Sequence, residues 1–412
     1  MRQTSSFNDQ AWLSLSEYPT ILIAVIGPFM DSFFLQRIGK FKTYIILPGL
    51  AIALILLAMS PFIEDLIKNQ SAMGLSPIWF SVCFFRFMIK AAIYTWSLNI
   101  VPQTQAKNVT IMISLGFFFG QALSYNIFLP MNSKDWLNQY IFQVKHLNKE
   151  LMTHRDLYMF ISLSLALLAV YVALCVNNTN QISSQNSQEV EIRRPPFLRT
   201  LKQIPVIFKQ KNFLVFIFFN SLLIVMEKPI QHSLPLKMVE HGVPIEDLAV
   251  ISSITLPFYI ITCLLASRFI KRGRLMRNLL KIKILNLLLN LHLYYILTVL
   301  RRDHYSNYIF FNLLLNSFVA SVSQCDFFFW FTYLNYLADP SFGSVYFGIG
   351  GSMLGIMGTF PTTVGFQVIE ELKVYGEDGY TGFFGVCFLT QVLILLSTYQ
   401  LGWYLDRVEL RE

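Results

Sequence analysis

The chain has 412 residues, 54% hydrophobic and 14% charged, with a mean hydropathy of +0.51 and a formal net charge of +8. A soluble domain carries about one-quarter charged residues, so the composition excludes an ordinary soluble protein, and the positive excess reads as loop charge rather than a nucleic-acid surface. Apolar runs long enough to cross a ~30 Å hydrocarbon core recur along the chain, and they are continuous rather than alternating, which selects helices over a barrel. The expected fold is an all-α polytopic membrane protein with about eleven spans, near 12–33, 42–62, 77–100, 109–130, 157–176, 212–231, 244–267, 279–300, 306–332, 343–369 and 380–405.

In chain order, the first ten residues are polar and the first apolar run is long enough to stay in the membrane, so no cleavable signal is expected. That run contains Glu17 and ends in "GPFMDSFFLQRIGKFK", where Asp31 near the helix end precedes a basic turn of Arg37, Gly39, Lys40 and Lys42. The third run, "CFFRFMIKAAIYTW", holds Arg86 and Lys90 well inside the apolar stretch. A cation at mid-helix costs about 2.5–3.5 kcal/mol on insertion scales, and their i, i+4 spacing puts both heads on one face. That face should point into the bundle, for internal pairing with Glu17, Glu227 or Asp326, or as a cationic site for an anionic substrate. The sequons at Asn108 and Asn177 fall on the side read as cytosolic and are expected to be silent. A polar, basic linker at 177–211 divides five spans from six. The tenth run, "YLADPSFGSVYFGIGGSMLGIMGTFPTTV", is dense in glycine, which suits close helix approach, with a mobile, broken helix as the alternative. The five cysteines all fall in spans, so no disulfide framework is expected. No spacing suggests a metal, a cofactor or a nucleophile–base pair, and no enzymatic step is expected.

Loop charge sets orientation. Nineteen Lys and Arg, including Lys281 and Lys283 at the start of the eighth span, lie on one side and eleven on the other, so the basic side is read as cytosolic. An odd span count then puts the N-terminus outside. The linker position suggests a 6+6 repeat architecture whose first helix is absent from this chain: residues 1–176 as an N-terminal half-bundle of five spans, and 212–412 as a half-bundle of six.

The Asp31–Arg37–Gly39–Lys40 order resembles the gating loop between the second and third helices of the major facilitator superfamily. The segment carrying Asp339, Pro340, Gly343, Tyr346, Gly358, Phe360, Pro361, Thr362 and Thr363 resembles the eleventh helix of acetyl-coenzyme A transporters. The stretches "LPLKMVEHGVPIEDLAVIS" (234–252) and 7–44 are similar to that family's segments in order and spacing. The resemblance implies transport of acetyl-CoA, an anionic small molecule, into the endoplasmic reticulum lumen by alternating access. It also implies that the helices bearing Arg86, Lys90, Tyr94, Trp96, Glu227 and Asp326 line the central cavity. One departure stands out. Where the family's fourth helix has an Asp-x-Ala-x-Asp-Gly-Trp motif, this chain reads Lys90 to Trp96, keeping Ala92 and Trp96 but replacing both acids, with Lys90 and Tyr94. The alternatives are a carrier of another organic anion or muropeptide-like solute, and a membrane protein that does not transport.

Overall fold

A computed structural model describes residues 7–69, 72–100, 106–140, 142, 149–176, 197, 201–269, 273–302, 305–323, 326–338 and 343–409. Among the described residues, nine helices are long and apolar enough to cross a membrane, ten when the bent pair Phe7–Leu22 and Ala24–Ser32 counts as one span. The run Gly343–Arg407 enters that count as one helix of 65 residues, about 97 Å at 1.5 Å per residue, far more than one crossing. A 3-10 turn at Lys373–Tyr375 and Gly376, at φ 62°, divide it, and Phe383 lies back against Gly365. Divided there, the run gives eleven passes, the number read from the sequence. We label them α1 (the bent pair), α2 (Lys40–Met59), α3 (Ala72–Ile100), α4 (Asn108–Asn132), α5 (His154–Cys175), α6 (Lys211–Glu240), α7 (Ile245–Phe269), α8 (Leu275–Arg302), α9 (Asn307–Leu337), α10 (Gly343–Leu372) and α11 (Gly376–Glu409).

Two spans depart from the expected form. α1 is bent by 46°, with Pro19 and Pro28 inside its two parts, because each proline removes an N–H and crowds the carbonyl four residues back. α6 continues past the expected end at 231 to Glu240, with a break at Met226. Pro229 sits in the first turn after the break, where a missing N–H costs little. Lys237, read from sequence as a loop charge, is therefore buried in the bundle, bonded to Glu240 at 2.7 Å and facing the rings of Phe7 and Tyr380.

α1 and α10 pack against each other from end to end. The Phe7 N–H donates to Glu370 at 3.0 Å, and the Ser14 and Thr363 hydroxyls share a bond at 2.6 Å. At the bend, Ser352 Oγ accepts from the Ala24 N–H and donates to the Thr20 carbonyl, satisfying backbone that the kink leaves unpaired. Small residues permit this approach. A Cβ on Gly27 would meet the Ser344 carbonyl oxygen at 2.6 Å, and one on Gly355 would overlap the Thr20 side chain. α4 and α7 form a second seam between the first five spans and the last six, with Phe118 stacked on Tyr259 at 5.4 Å. The dense glycines of α10 thus serve packing, and α10 is a continuous helix through Pro361.

The seam yields a prediction. Gly27→Leu should lower the melting temperature of the purified protein in detergent by the equivalent of about 1–3 kcal/mol, since the obstructing atom is backbone. Gly49→Ala, where a Cβ meets nothing within 4 Å, should stay near the wild-type value in the same assay.

Candidate functional site

Lys283 of α8 is the centre of the buried charge in the last six spans. Its Nζ lies 2.7 Å from Glu227 Oε2 of α6 and 2.9 Å from Asp326 Oδ2 of α9. Glu227 Oε1 also accepts from Asn286 Nδ2 and Gln231 Nε2, both at 2.8 Å. Lys228 Nζ donates to Gln231 Oε1 at 3.2 Å. Glu227 and Lys283 are 1% and 5% exposed, whereas Asp326 keeps 33% open. Two of the three acids considered as partners for Arg86 and Lys90, Glu227 and Asp326, are thus held by a lysine that sequence reading had assigned to the basic end of α8. Lys281, two residues earlier, is exposed, and Lys283 is not. The signal for it was present: Lys283, Asn286 and Asn290 follow one helical face, and all three are buried.

Arg86 and Lys90 lie on one face of α3, both exposed, between the buried neighbours Phe87, Met88, Ala91 and Ala92. Arg86 lies over the Phe87 ring and Lys90 Nζ stands 5.5 Å from the Tyr94 ring. Tyr94 in turn packs on Phe331 of α9 at 4.7 Å and on Phe347 of α10 at 5.6 Å, and those two rings stack at 5.2 Å. This aromatic closure joins the first five spans to the last six, so Lys90 belongs to the interface between them, one turn from the closure on the side away from the basic end. Lys90 precedes Tyr94 by four residues and Asp326 precedes Phe331 by five, about 6 and 7.5 Å along their helices. The two positions therefore stand at a similar level of the bundle, in different groups of spans. Trp96 is not part of this group; it stacks on Phe41 of α2 at 6.3 Å.

The turn that follows Asp31 has a defined geometry at the basic end of α1. Lys40 Nζ lies 2.5 Å from the buried Asp31 Oδ1, which also accepts from the Ser344 hydroxyl of α10. Gly39 has φ 91°, a conformation that favours glycine. Arg37 is exposed. Asp31 therefore ties its own turn to α10 across the seam. In the tenth span, Gly343 is buried, Tyr346 donates to Gln210 Oε1 at 2.9 Å, and Thr362 donates to the Gly358 carbonyl at 2.7 Å beside Pro361. Gly358 has only ordinary contacts around a built Cβ, the nearest at 3.8 Å. Asp339 and Pro340 lie outside the described residues.

The sequence profile of the family described as "Acetyl-coenzyme A transporter 1" matches residues 1–298. An uncharacterised membrane protein of Saccharomyces cerevisiae is 22% identical over 307 residues, covering 63% of this chain and 53% of that protein. An uncharacterised protein of Schizosaccharomyces pombe is 24% identical over 210 residues, covering 50% of this chain and 40% of that protein. The chain spans about half the length of the curated relatives it matches. Among solved structures, the Major Facilitator Superfamily transporter FucP in its outward conformation is similar with a TM-score of 0.58 at 12% identity, covering 99% of this chain and 92% of that one. The nucleoside transporter NupG is similar with a TM-score of 0.52 at 14% identity, covering 97% and 91%. The fold is that of the major facilitator superfamily.

The ion cluster gives a stability prediction. Lys283→Met should destabilise the protein by about 3–5 kcal/mol, because Glu227 would remain buried without its countercharge. Adding Glu227→Gln should recover much of that loss, measured by thermal unfolding of both variants in detergent.

Proposed function

The chain belongs to the acetyl-coenzyme A transporter family, and from that premise we propose that it carries acetyl-CoA across the endoplasmic reticulum membrane by alternating access. The observation that carries this reading is the pair Arg86 and Lys90. Both occupy one face of α3, and Lys90 stands beside Tyr94, whose ring closes on Phe331 and Phe347 at the interface between the span groups. CoA presents a diphosphate and a 3′-phosphate, and guanidinium and ammonium groups bind such oxygens through charge-assisted hydrogen bonds. A pair of cations favours an anion of this kind over a neutral sugar.

In this reading residues 1–176 and 212–412 are the two rocking halves. The α1–α10 and α4–α7 seams are the surfaces on which they move, and Asp31, Lys40 and Ser344 latch the basic, cytosolic end. Tyr94 belongs to the closure that must part for the substrate to pass. Glu227 and Asp326 line the opposite half, and Glu227 shapes it indirectly through Lys283.

Arg86→Ala and Lys90→Ala should each cut uptake of radiolabelled acetyl-CoA into proteoliposomes at least tenfold, with the yield of monodisperse protein unchanged. Uptake at the wild-type rate in both variants would remove the cationic site from the account. An unlabelled panel of other organic anions in the same vesicles tests the alternative substrate class, since stronger competition than by acetyl-CoA would reassign the cargo.

A further inference from the structure

The outer surface of the last six spans carries a feature that transport of an anion does not use. α8 and α11 pack closely against each other. A Cβ on Gly402 would overlap Leu280, and the Tyr294 ring stacks on Phe384 at 4.0 Å. Arg277 joins the two helices at their basic ends. Its guanidinium lies 4.3 Å from the Trp403 ring, its Nε donates to Asp406 at 2.8 Å, and its Nη2 donates to the Gly273 carbonyl at 2.7 Å. These bonds use Nε and Nη2 and leave Nη1, at the edge of the fork, for a further acceptor.

Helical spacing gathers more cations around this joint. Arg274, Arg277 and Lys281 follow one face of α8, at i, i+3 and i+7, and Trp403 and Arg407 follow one face of α11, at i and i+4. Because Arg277 lies over Trp403, these two faces flank the same groove. Arg274, Lys281 and Arg407 are exposed, and none of them has an ion-pair partner among the described residues. Asp406 is the only carboxylate among the described side chains of 274–288 and 393–407, and the Met276 and Arg277 N–H groups already occupy its two oxygens. Lys281 lies about 9 Å along α8 from Leu275, a depth from which an ammonium must reach back to a counterion at the interface. Beyond the cations both faces turn apolar. Ile284, Leu288 and Leu291 continue the α8 face, and Tyr399, Leu396 and Leu393 continue the α11 face, all of them exposed.

We propose that this joint binds the headgroup of an anionic phospholipid, whose acyl chains lie along the apolar groove between α8 and α11. The lipid phosphate meets Arg277 Nη1, the Lys281 ammonium and the Arg407 guanidinium through charge-assisted hydrogen bonds. Trp403, itself exposed, sits beside them at headgroup level, where indole rings concentrate. Basic pockets between spans recognise anionic headgroups in this way. A free phosphate would satisfy the cations alone; the groove that continues from them selects the lipid. The site lies within the last six spans and away from Lys90, so it stands independently of the cargo.

Native mass spectrometry of the full chain, titrated from detergent with phosphatidylserine or phosphatidylcholine, tests this. Phosphatidylserine should bind saturably and at least fivefold more tightly than phosphatidylcholine. Lys281→Gln combined with Arg407→Gln should bring that ratio to about one. Arg277 stays in place in this variant because it also holds Asp406. Arg155→Gln, which removes an exposed cation at the opposite end of the bundle, should keep the wild-type ratio. Brominated phosphatidylserine should also quench the part of the fluorescence that Trp403→Phe removes, and more strongly than brominated phosphatidylcholine does. Equal affinity for the two lipids in the wild type, or an unchanged ratio in the double variant, overturns the site. Displacement of phosphatidylserine by equal concentrations of glycerophosphoserine, which has the phosphate without acyl chains, overturns the lipid assignment in favour of a free anion.

Discussion

One ammonium shared between two carboxylates on two other helices is the constraint on which the interior of the last six spans depends. Hydrocarbon gives a charge no partner, so a lysine at this depth must meet its countercharges inside the bundle. Lys283 reaches Glu227 of α6 and Asp326 of α9 and so fixes α8 against both. The α8 start is held in the same manner. Asp406 of α11 accepts the Met276 and Arg277 N–H groups and pairs with the Arg277 guanidinium at 2.8 Å, which satisfies donors that a helix N-terminus leaves open. Ionic contacts thus set the positions of α6, α8, α9 and α11, and apolar packing fills the space between them.

The two groups of spans meet through weaker chemistry. The α1–α10 seam consists of small residues and hydroxyls, with Ser14, Ser344, Ser352 and Thr363 each making one or two hydrogen bonds. Such bonds contribute about 0.5–1.5 kcal/mol net, and water can take them over when the surfaces part. The strong contacts within the last six spans and the modest ones across the seam suit a rigid group moving against another. The Asp31–Lys40 pair is the exception at the basic end: Asp31 is buried and also bonded to Ser344, so opening that end exposes a charge that is now largely desolvated.

Much of this was legible in the sequence, and the losses have identifiable causes. Eleven apolar runs marked the passes, because membrane length is a strict filter. The Asp31 ion pair was readable from an acid at a helix end before a Gly-containing basic turn, and Lys40 rather than Arg37 makes it. Lys283 was read as a basic residue opening the eighth span because it follows five basic residues in "SRFIKRGRLMR" and Lys281. Its place two turns inside α8 becomes visible only from the polar face it shares with Asn286 and Asn290. Lys237 was counted with the loop charges because the sixth span was expected to end at 231, yet α6 continues through Pro235 to Glu240. The partners of Glu227 and Asp326 depend on packing of three distant segments, which no local pattern encodes. The Lys90 and Tyr94 replacements were visible directly, and they sit where the interface closes.

The central claim is that the α3 cations bind a phosphate-bearing anion within the bundle. Calorimetric titration of the purified chain with acetyl-CoA, and with its analogue lacking the 3′-phosphate, tests this most directly. The account predicts saturable binding to acetyl-CoA that weakens for the analogue and is lost in the Arg86→Ala, Lys90→Ala double variant. Equal binding by the double variant and the wild type would contradict it.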